Sequence, residues 1–173
     1  MNNQTKERPL SIIATVGRGG VIGNKGKLPW GRILKDAHHF RKVTLGHTVA
    51  MGRKTYESFA HMLDDRSVFV LSRRERSVLA HRLRGCVVAE DFSLILEQTK
   101  RTRVFVVGGG EIYEQALPYT STIYLTRVNV TVHGDTFFKG VPSPGNNWRL
   151  IHIEGFYSKE VSAQCSFETY IRW

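Results

Sequence analysis

Cysteine, proline and long apolar runs are scarce in this sequence. The few cysteines and the short apolar runs exclude several classes of protein. The 173 residues include 2 cysteines and 5 prolines. Cys86 and Cys165 have the spacing of neither a metal site nor a disulfide framework. Residues 1–9 lack the apolar core of a signal peptide, and the run at 10–16 is too short to span a bilayer. We therefore expect a soluble, cytoplasmic protein with a polar extension at 1–9 and one domain at 10–173.

Acidic side chains are outnumbered, with 15 Asp and Glu against 25 Lys and Arg and a net charge of +10 at pH 7. Such an excess suits nucleic acid, an acidic membrane surface or small anionic ligands. The sequence has no helix-turn-helix, zinc-finger or ribonucleoprotein motif, and its arginine clusters at 73–76 and 82–84 lack interleaved aromatic residues. We expect neither a nucleic-acid nor a membrane partner. The 7 histidines show no metal-ligand spacing, so we expect no metal site.

Apolar runs rich in β-branched residues alternate with helical patterns, which predicts a single α/β domain on a mixed sheet. Several early runs are almost wholly apolar, as parallel strands buried on both faces are, whereas the last two alternate and predict an antiparallel edge hairpin. The predicted strands are 10–16, 47–51, 67–72, 86–89, 103–108, 121–130, 148–156 and 165–173. The predicted helices are 33–45, 53–60, 91–100 and 110–117.

One carboxylate lies among cations in the predicted first helix, within LPWGRILKDAHHF at 28–40. Helical spacing places Asp36 on the same stripe as Ile33, Phe40 and Val43. A carboxylate on an apolar stripe needs a strong donor, or desolvation raises its pKa. A structural contact to a buried donor or to an arginine explains such an acid about as well as a functional role does.

The loop before this helix favours the functional interpretation. It reads GVIGNKGKLPW at 20–30, a glycine-punctuated segment that ends in Leu28, Pro29 and Trp30. Such a segment can close an apolar lid over a site beside a carboxylate. A surface loop anchored by Trp30 is the alternative.

Two glycine-opened turns follow predicted strands and suit the binding of phosphate. The segment VFVVGGGEIYEQALP at 104–118 runs from a strand through three glycines into a helix, and AMGRKTYESF at 50–59 repeats the pattern. Ser72 and Arg73 follow another strand at the same sheet edge. Together these features indicate a phosphorylated dinucleotide. Tight strand-to-helix turns use glycines too, and neither GxGxxG nor the P-loop pattern is present.

The order and spacing of these motifs resemble the dihydrofolate reductase family of the chromosomal α/β type. The resemblance extends over 10–173 and rests on VIGxxGxLPW, MGRKTYES, VVGGGEIY, IYLTR and HGDTFF, with Asp36 six residues after Trp30. It implies an eight-stranded, mostly parallel mixed sheet with an antiparallel C-terminal edge hairpin and about four flanking helices. It also implies a monomer that uses NADPH to reduce 7,8-dihydrofolate to tetrahydrofolate for one-carbon metabolism, and that binds antifolate inhibitors.

For the substrate, the resemblance implies that Asp36 pairs with the N3 and 2-amino edge of the pterin and that Thr126 orients Asp36. Arg66 is implied to hold the α-carboxylate of the glutamate tail, less securely because Asp64 and Asp65 precede it. The residues implied to contact the substrate are Ile13, Ala14, Asp36, Ala37, Phe40, Phe59, Leu63, Arg66, Val107, Tyr113 and Thr126. Those implied in catalysis are Asp36, Trp30, Thr126 and Leu28.

The implied chemistry requires a proton at pterin N5, which Asp36 is too distant to deliver directly in the family's binding mode. We expect Asp36 to polarise the pterin and raise the pKa of N5, while a water admitted past the lid of Leu28 and Trp30 supplies the proton.

For the cofactor, the resemblance implies that one group of residues lies near the nicotinamide and ribose: Ala14, Thr15, Ile22, Val107, Gly108 and Gly109. The peptide between Gly108 and Gly109 is implied to be cis. A second group is implied around the pyrophosphate: Arg53, Lys54, Thr55, Gly110, Glu111, Ile112 and Tyr113. The implied 2′-phosphate ligands are Arg53, Ser72 and Arg73, and the cofactor set is completed by Gly52, Leu71 and Thr136.

Two other functions remain open from the sequence. A pteridine or pyrimidine reductase of related fold would use the same cofactor residues, without requiring Asp36 together with Arg66. The chain could instead be a basic nucleic-acid-binding protein that has kept only the fold of this family. Binding of NADPH, against salt-dependent retention of DNA or RNA, separates the second alternative from a reductase.

Overall fold

A computed structural model describes residues 10–73, 85–143 and 146–173. The predicted extension at 1–9 and most of the two arginine clusters lie outside these ranges. The strands are β1 Leu10–Val16, β2 Val21–Gly23, β3 Thr48–Gly52, β4 Ser67–Leu71, β5 Val87–Ala89, β6 Val104–Val106, β7 Thr122–Val128, β8 Thr136–Phe137, β9 Trp148–Ser158 and β10 Ala163–Arg172. The α-helices in the described ranges are α1 Leu34–Thr44, α2 Arg53–Phe59, α3 Ser93–Gln98 and α4 Gly110–Ala116.

The main sheet contains 8 strands in the order β5-β4-β3-β6-β1-β7-β10-β9. Neighbours from β5 to β7 are parallel, and β10 pairs antiparallel with both β7 and β9. This arrangement confirms the predicted mixed sheet with an antiparallel C-terminal hairpin at one edge. The parallel part explains why the early runs are apolar throughout, since helices cover both faces.

The two largest core layers share the central strand β1. Six of its 7 residues are buried, because alternate side chains enter opposite layers. On one face, Phe40 of α1 and Tyr56 of α2 pack against the sheet. On the other face, Ile95 of α3 and Ile112 of α4 do so. No helix in the described part of the chain is long and apolar enough to cross a membrane.

A small second sheet was not predicted. It pairs β2 with β8 through Val21 with Phe137 and Gly23 with Thr136, and an irregularity interrupts the register. Strands of 3 and 2 residues are too short to show periodicity in a sequence. The predicted helix at 91–100 is also shorter in the structure, at Ser93–Gln98, because the chain turns after that segment.

Candidate active site

The carboxyl ends of the parallel strands meet at one edge of the sheet, where open α/β sheets bind their ligands. Gly52, at the end of β3, donates its backbone N–H to the carbonyl of Gly108 over 2.8 Å. Val107 donates to the carbonyl of Ala50 over 2.9 Å. These bonds hold the two glycine-containing turns side by side. The peptide between Gly108 and Gly109 is cis, as the resemblance implies.

Asp36 lies in the first turn of α1 and is partly buried. The hydroxyl of Thr15 donates to its Oδ2 over 2.9 Å, and the Thr126 side chain is a second hydrogen-bond partner. Burial raises the pKa of Asp36, and the bonds from Thr126 and Thr15 only partly oppose this shift. Among the described residues, no ion pair includes Asp36. The acid is therefore held by neutral donors and has no fixed counter-ion in the described chain.

An apolar wall lies on the same face of the sheet as Asp36. Phe40 and Phe59 meet edge to face, with ring centroids 5.9 Å apart. Both belong with the buried side chains of Ile13, Leu63 and Val107 to one core layer. Ala37, which follows Asp36 in α1, is half-buried. The structure thus brings most of the predicted substrate contacts together.

Two predicted substrate contacts point elsewhere. The side chain of Ala14 belongs to the opposite core layer, so only its backbone can face the wall around Asp36. The ring of Tyr113 also belongs to that layer. Its hydroxyl donates to the carbonyl of Ile13 over 2.8 Å. Tyr113 is therefore anchored to β1, beneath Gly108.

Arg66 is positioned by uncharged groups. Its guanidinium donates to the Thr44 hydroxyl over 2.9 Å and to the carbonyls of Met62 and Asp64 over 3.2 and 2.7 Å. It also lies 5.5 Å from the centroid of the Phe40 ring. No ion pair within 4.0 Å joins Arg66 to Asp64 or Asp65 in the described ranges. Burial and the neighbouring Arg41 lower the pKa of Arg66, and Asp65 and Asp64 partly oppose this shift. The two aspartates therefore neutralise the charge of Arg66 only in part.

The glycine-punctuated loop is anchored at two places. Lys25 donates its backbone N–H to Oδ2 of Asp135 over 2.8 Å. The Trp30 ring lies against Gly17, where a Cβ would be 3.0 Å from Cζ3 of Trp30. The Trp30 indole N–H is buried and has no hydrogen-bond partner among the described residues. Leu28, between these anchors, is 44% exposed.

The paired glycine turns, called the cradle below, are packed so closely that two of their glycines leave no room for a side chain. A Cβ at Gly52 would lie 3.2 Å from Cγ1 of Ile112, and one at Gly109 would lie 3.3 Å from Oγ1 of Thr55. Arg53, at the start of α2, is held by Glu57 through bonds of 2.8 and 2.9 Å. A close-packed backbone beside the fixed cation Arg53 fits a pyrophosphate.

Two further cofactor candidates extend the cradle. Arg73 is 91% exposed and lies 3.6 Å from a carboxylate oxygen of Glu111. Ser72, just before it, is buried and donates its backbone N–H to the carbonyl of Ala89 over 3.0 Å. An exposed, weakly paired guanidinium at this edge fits a further phosphate group.

The remaining cofactor candidates surround these turns. Thr136 lies in β8 and donates its hydroxyl to Oδ1 of Asp135 over 2.7 Å, and Lys54 is exposed. Ile22 and Leu71 belong to the core layer that contains Ile112. In the described ranges, no group of three or more His, Cys, Asp or Glu side chains could hold a metal ion.

Sequence reasoning missed two contacts of this site. Thr15 was expected beside the cofactor, and its bond to Asp36 was not predicted; a hydroxyl in the otherwise apolar end of LSIIATV was the available signal. Asp135 was assigned no role, although it binds the loop at Lys25. Its position in the HGDTFF motif was the only signal.

An open α/β sheet with a buried acid, an apolar wall and an anion cradle at its carboxyl edge defines a nucleotide-dependent oxidoreductase that acts on a flat heterocycle. A family model described as dihydrofolate reductase matches residues 9–172. The chain belongs to the dihydrofolate reductase family, whose members use NADPH to reduce dihydrofolate.

Individual relatives agree with this assignment. The dihydrofolate reductase of Bacillus subtilis is 30% identical over 146 residues, which cover 84% of this chain and 83% of that protein. Dihydrofolate reductase type A13 of Escherichia coli is 35% identical over 131 residues, covering 75% and 76% of the two chains. The structure of Enterococcus faecalis dihydrofolate reductase, complexed with NADP(H) and RAB-propyl, superposes with a TM-score of 0.82 at 26% identity over 95% of this chain and 97% of that chain.

Proposed function

We propose that this enzyme reduces 7,8-dihydrofolate to tetrahydrofolate by binding the pterin to Asp36. The observation that carries the proposal is a carboxylate within an apolar wall, held by two threonine hydroxyls and no cation of the described chain. A carboxylate with free lone pairs can accept two parallel N–H bonds from the N3 and 2-amino edge of a pterin. The rings of Phe40 and Phe59 supply the surface on which a flat ring packs.

Arg66 is proposed to hold the glutamate tail of the substrate. Its guanidinium is oriented by Thr44 and by backbone carbonyls, so little conformational freedom is lost when a carboxylate binds. Its packing beside Phe40 connects the tail site to the pterin wall. A substrate with an anionic tail and a flat ring therefore fits better than a bare pteridine.

The cofactor, NADPH, is proposed to lie along the two glycine turns, where it supplies the hydride that reduces the substrate. The turns at Gly52 and Gly109 leave no room for a side chain, and the pyrophosphate is proposed to lie against their backbone. Arg53, Ser72 and Arg73 are proposed to bind the 2′-phosphate, and they supply the reason for preferring NADPH to NADH.

Protonation of pterin N5 is proposed to depend on both Asp36 and the loop. An ionised Asp36 polarises the bound ring and makes N5 more basic. The buried N–H of Trp30 requires an acceptor. A water that accepts this bond is proposed to lie beside the bound pterin. Closure of Leu28 over this water would exclude bulk solvent during the reaction.

We also propose that the enzyme acts as a cytoplasmic monomer. The acid, the wall and the anion cradle all come from one chain, so no second copy is needed to complete the site. Cys86 and Cys165 are not joined by a disulfide, which suits a reducing compartment. Sedimentation equilibrium of the purified protein tests the monomer, and a concentration-dependent dimer would contradict it.

The function is tested by following NADPH absorbance with purified enzyme. We expect oxidation of NADPH only when dihydrofolate is added, with kcat/KM for NADH much lower. A pteridine without the glutamate tail, as matched substrate, should react with a higher KM because it cannot reach Arg66. Equal rates with and without the tail would favour the pteridine-reductase alternative, and no oxidation with either substrate would overturn the proposal.

A further inference from the structure

We propose that Thr15 is a positioning residue of the substrate site, where its hydroxyl acts with that of Thr126 to keep Asp36 ionised and in a single orientation. The inference rests on the proposed function, because the orientation of Asp36 matters to catalysis only if this carboxylate binds the pterin. It adds a support of the acid to the expected role of Thr15 as a neighbour of the cofactor.

The geometry places the two threonines as a matched pair. Thr15 and Thr126 are directly opposite each other on the parallel strands β1 and β7. Paired residues of adjacent strands point to the same face of a sheet. Here that face is the one covered by α1, and the Thr15 hydroxyl lies 2.9 Å from Oδ2 of Asp36.

Both hydroxyls are held rigidly. Thr126 is 2% exposed, and Thr15 lies in the otherwise buried strand β1. Threonine is branched at Cβ, which restricts the rotation about its χ1 angle. The strands fix the backbone, so each hydroxyl has little freedom to leave the carboxylate.

The number of acceptor sites on the carboxylate supports the pairing. An ionised carboxylate has about four lone-pair sites, whereas a protonated one uses an oxygen as donor. Two threonine donors and two N–H groups of the pterin edge would occupy all four sites. A hydroxyl bond from Thr15 therefore favours the ionised form and leaves room for a two-point contact with the substrate.

Other ionisable groups near Asp36 in the described chain either stay neutral or are engaged elsewhere. Tyr113 of α4 and Cys165 of β10 feel the negative charge of Asp36, and burial, with that charge, raises the pKa of each. Both therefore stay neutral where Asp36 titrates. On α1, Lys35 is engaged by Glu154 at 3.1 Å, and His39 stacks on Phe167. The threonine hydroxyls are thus the donors that offset the burial of Asp36.

Replacement of Thr15 by Val, which keeps the shape and removes the donor, tests the inference. The readout is the titration of the Asp36 carboxyl carbon by NMR in the enzyme without ligands, with the resonance assigned from Asp36→Asn. We expect the pKa of Asp36 to rise by about one unit in Thr15→Val, since a bond to a charged group is lost. The low-pH limb of kcat/KM should shift in the same direction.

Three further variants separate a positioning role from a structural one. Thr15→Ser restores the hydroxyl and should return the titration close to that of the unsubstituted enzyme, whereas Thr15→Ala should behave like Thr15→Val. Thr122→Val removes a hydroxyl from the same strand as Thr126, four residues away, and should leave the titration unchanged. A melting curve of each variant checks that it folds.

The outcomes distinguish this inference from the proposed function. An unchanged Asp36 titration in folded Thr15→Val, or failure of Thr15→Ser to restore it, would overturn the role of Thr15 while reduction of dihydrofolate stands. An enzyme that shows the expected titration shifts but cannot reduce dihydrofolate would overturn the proposed function, leaving Thr15 as a support of Asp36.

Discussion

The carboxyl of Asp36 is bonded by Thr15 and Thr126 and is surrounded by protein atoms that raise its pKa. A raised pKa in the folded state means that the folded protein binds this proton more tightly than the unfolded chain does. Stability is therefore greatest where Asp36 is protonated, and it is reduced as the pH rises through the folded pKa. Once Asp36 ionises, its charge favours ligand binding and lowers the stability of the ligand-free enzyme.

Replacement of Asp36 by Asn should stabilise the free enzyme at neutral pH. The expected gain is about 1 kcal/mol, or a rise in Tm of about 2–4 °C for a domain of this size. Thermal melts at neutral and at acidic pH provide the measurement, and the gain should disappear at acidic pH. Asp64→Asn, at an exposed position, is the matched control and should show no such difference. A lower Tm in Asp36→Asn at neutral pH would contradict this account.

Arg73 is the exposed cation proposed for the 2′-phosphate. Replacement by Gln should reduce kcat/KM for NADPH by about tenfold, because one charge-assisted contact is lost. The value for NADH should change little, since NADH lacks the phosphate. Arg149→Gln removes the same charge from β9, the edge strand on the far side of the sheet from β4, which precedes Arg73. This variant should leave both values of kcat/KM unchanged. Equal losses with both nucleotides would show that Arg73 does not select the phosphate.

At the residue scale, the sequence predicted Asp36 better than its partners. The apolar stripe through Ile33 and Phe40 drew attention to the acid, because helical spacing is visible in a sequence. The bond from Thr15 depends on which residues of β1 and β7 are opposite each other. That register follows from tertiary packing rather than from local pattern, so the bond from Thr15 to Asp36 was not predicted.

At the scale of secondary structure elements, the close packing of α4 against β8 depends on Gly110, the first residue of α4. A Cβ at Gly110 would lie 2.6 Å from the carbonyl oxygen of Phe137, and backbone on both sides limits any adjustment. Gly110→Ala should therefore destabilise the protein by about 2 kcal/mol. It should also raise the KM for NADPH, because the start of α4 would move away from the cradle.

Denaturant unfolding and a titration of NADPH binding provide the measurements for Gly110→Ala. Gly155→Ala is the matched control, since the nearest atom to its new Cβ would be 4.0 Å away. Comparable stability of the two variants would show that α4 and β8 can separate without loss.

Element boundaries were predicted well where the apolar pattern is long. The predicted strand at 10–16 agrees with β1 Leu10–Val16, and the predicted helix at 33–45 differs from α1 Leu34–Thr44 only at its ends. The pairing of β2 with β8 was not predicted, because it depends on two short segments far apart in the chain. The anchoring of the loop by Asp135 was missed for the same reason.

At the scale of the whole molecule, an ion-pair network joins the parallel part of the sheet to the C-terminal hairpin. Nε and Nη2 of Arg127 in β7 donate to Oε1 and Oε2 of Glu168 in β10 over 3.1 and 3.0 Å. Ser166 and Tyr170 each donate a hydroxyl to Glu168 over 2.7 Å. Burial raises the pKa of Glu168, but the bonds from Arg127, Tyr170 and Ser166 outweigh burial and lower it overall.

A lowered pKa in the folded state gives this network a defined pH dependence. The stability contributed by Glu168 is fully present above its unfolded pKa, near 4.5, and is lost as the pH falls through the folded value. Glu168→Gln should therefore reduce the free energy of unfolding by about 2 kcal/mol at neutral pH, less than for a fully buried pair because Arg127 is 39% exposed.

Urea unfolding of Glu168→Gln at neutral and at acidic pH tests this expectation. The difference from the unsubstituted protein should shrink in acid, where Glu168 becomes protonated. Glu97→Gln removes an exposed pair with Lys100 and should have little effect at either pH. A constant difference for Glu168→Gln across this range would show that the carboxylate charge is not what stabilises the hairpin.

The most direct test of the account is the rate of hydride transfer from NADPH to dihydrofolate in a single turnover, measured for Asp36→Asn as a function of pH. The account predicts a rate at least about 100-fold below that of the unsubstituted enzyme at neutral pH. The deficit should be much smaller in acid, where solvent can protonate the substrate. A rate for Asp36→Asn equal to that of the unsubstituted enzyme at neutral pH would contradict it.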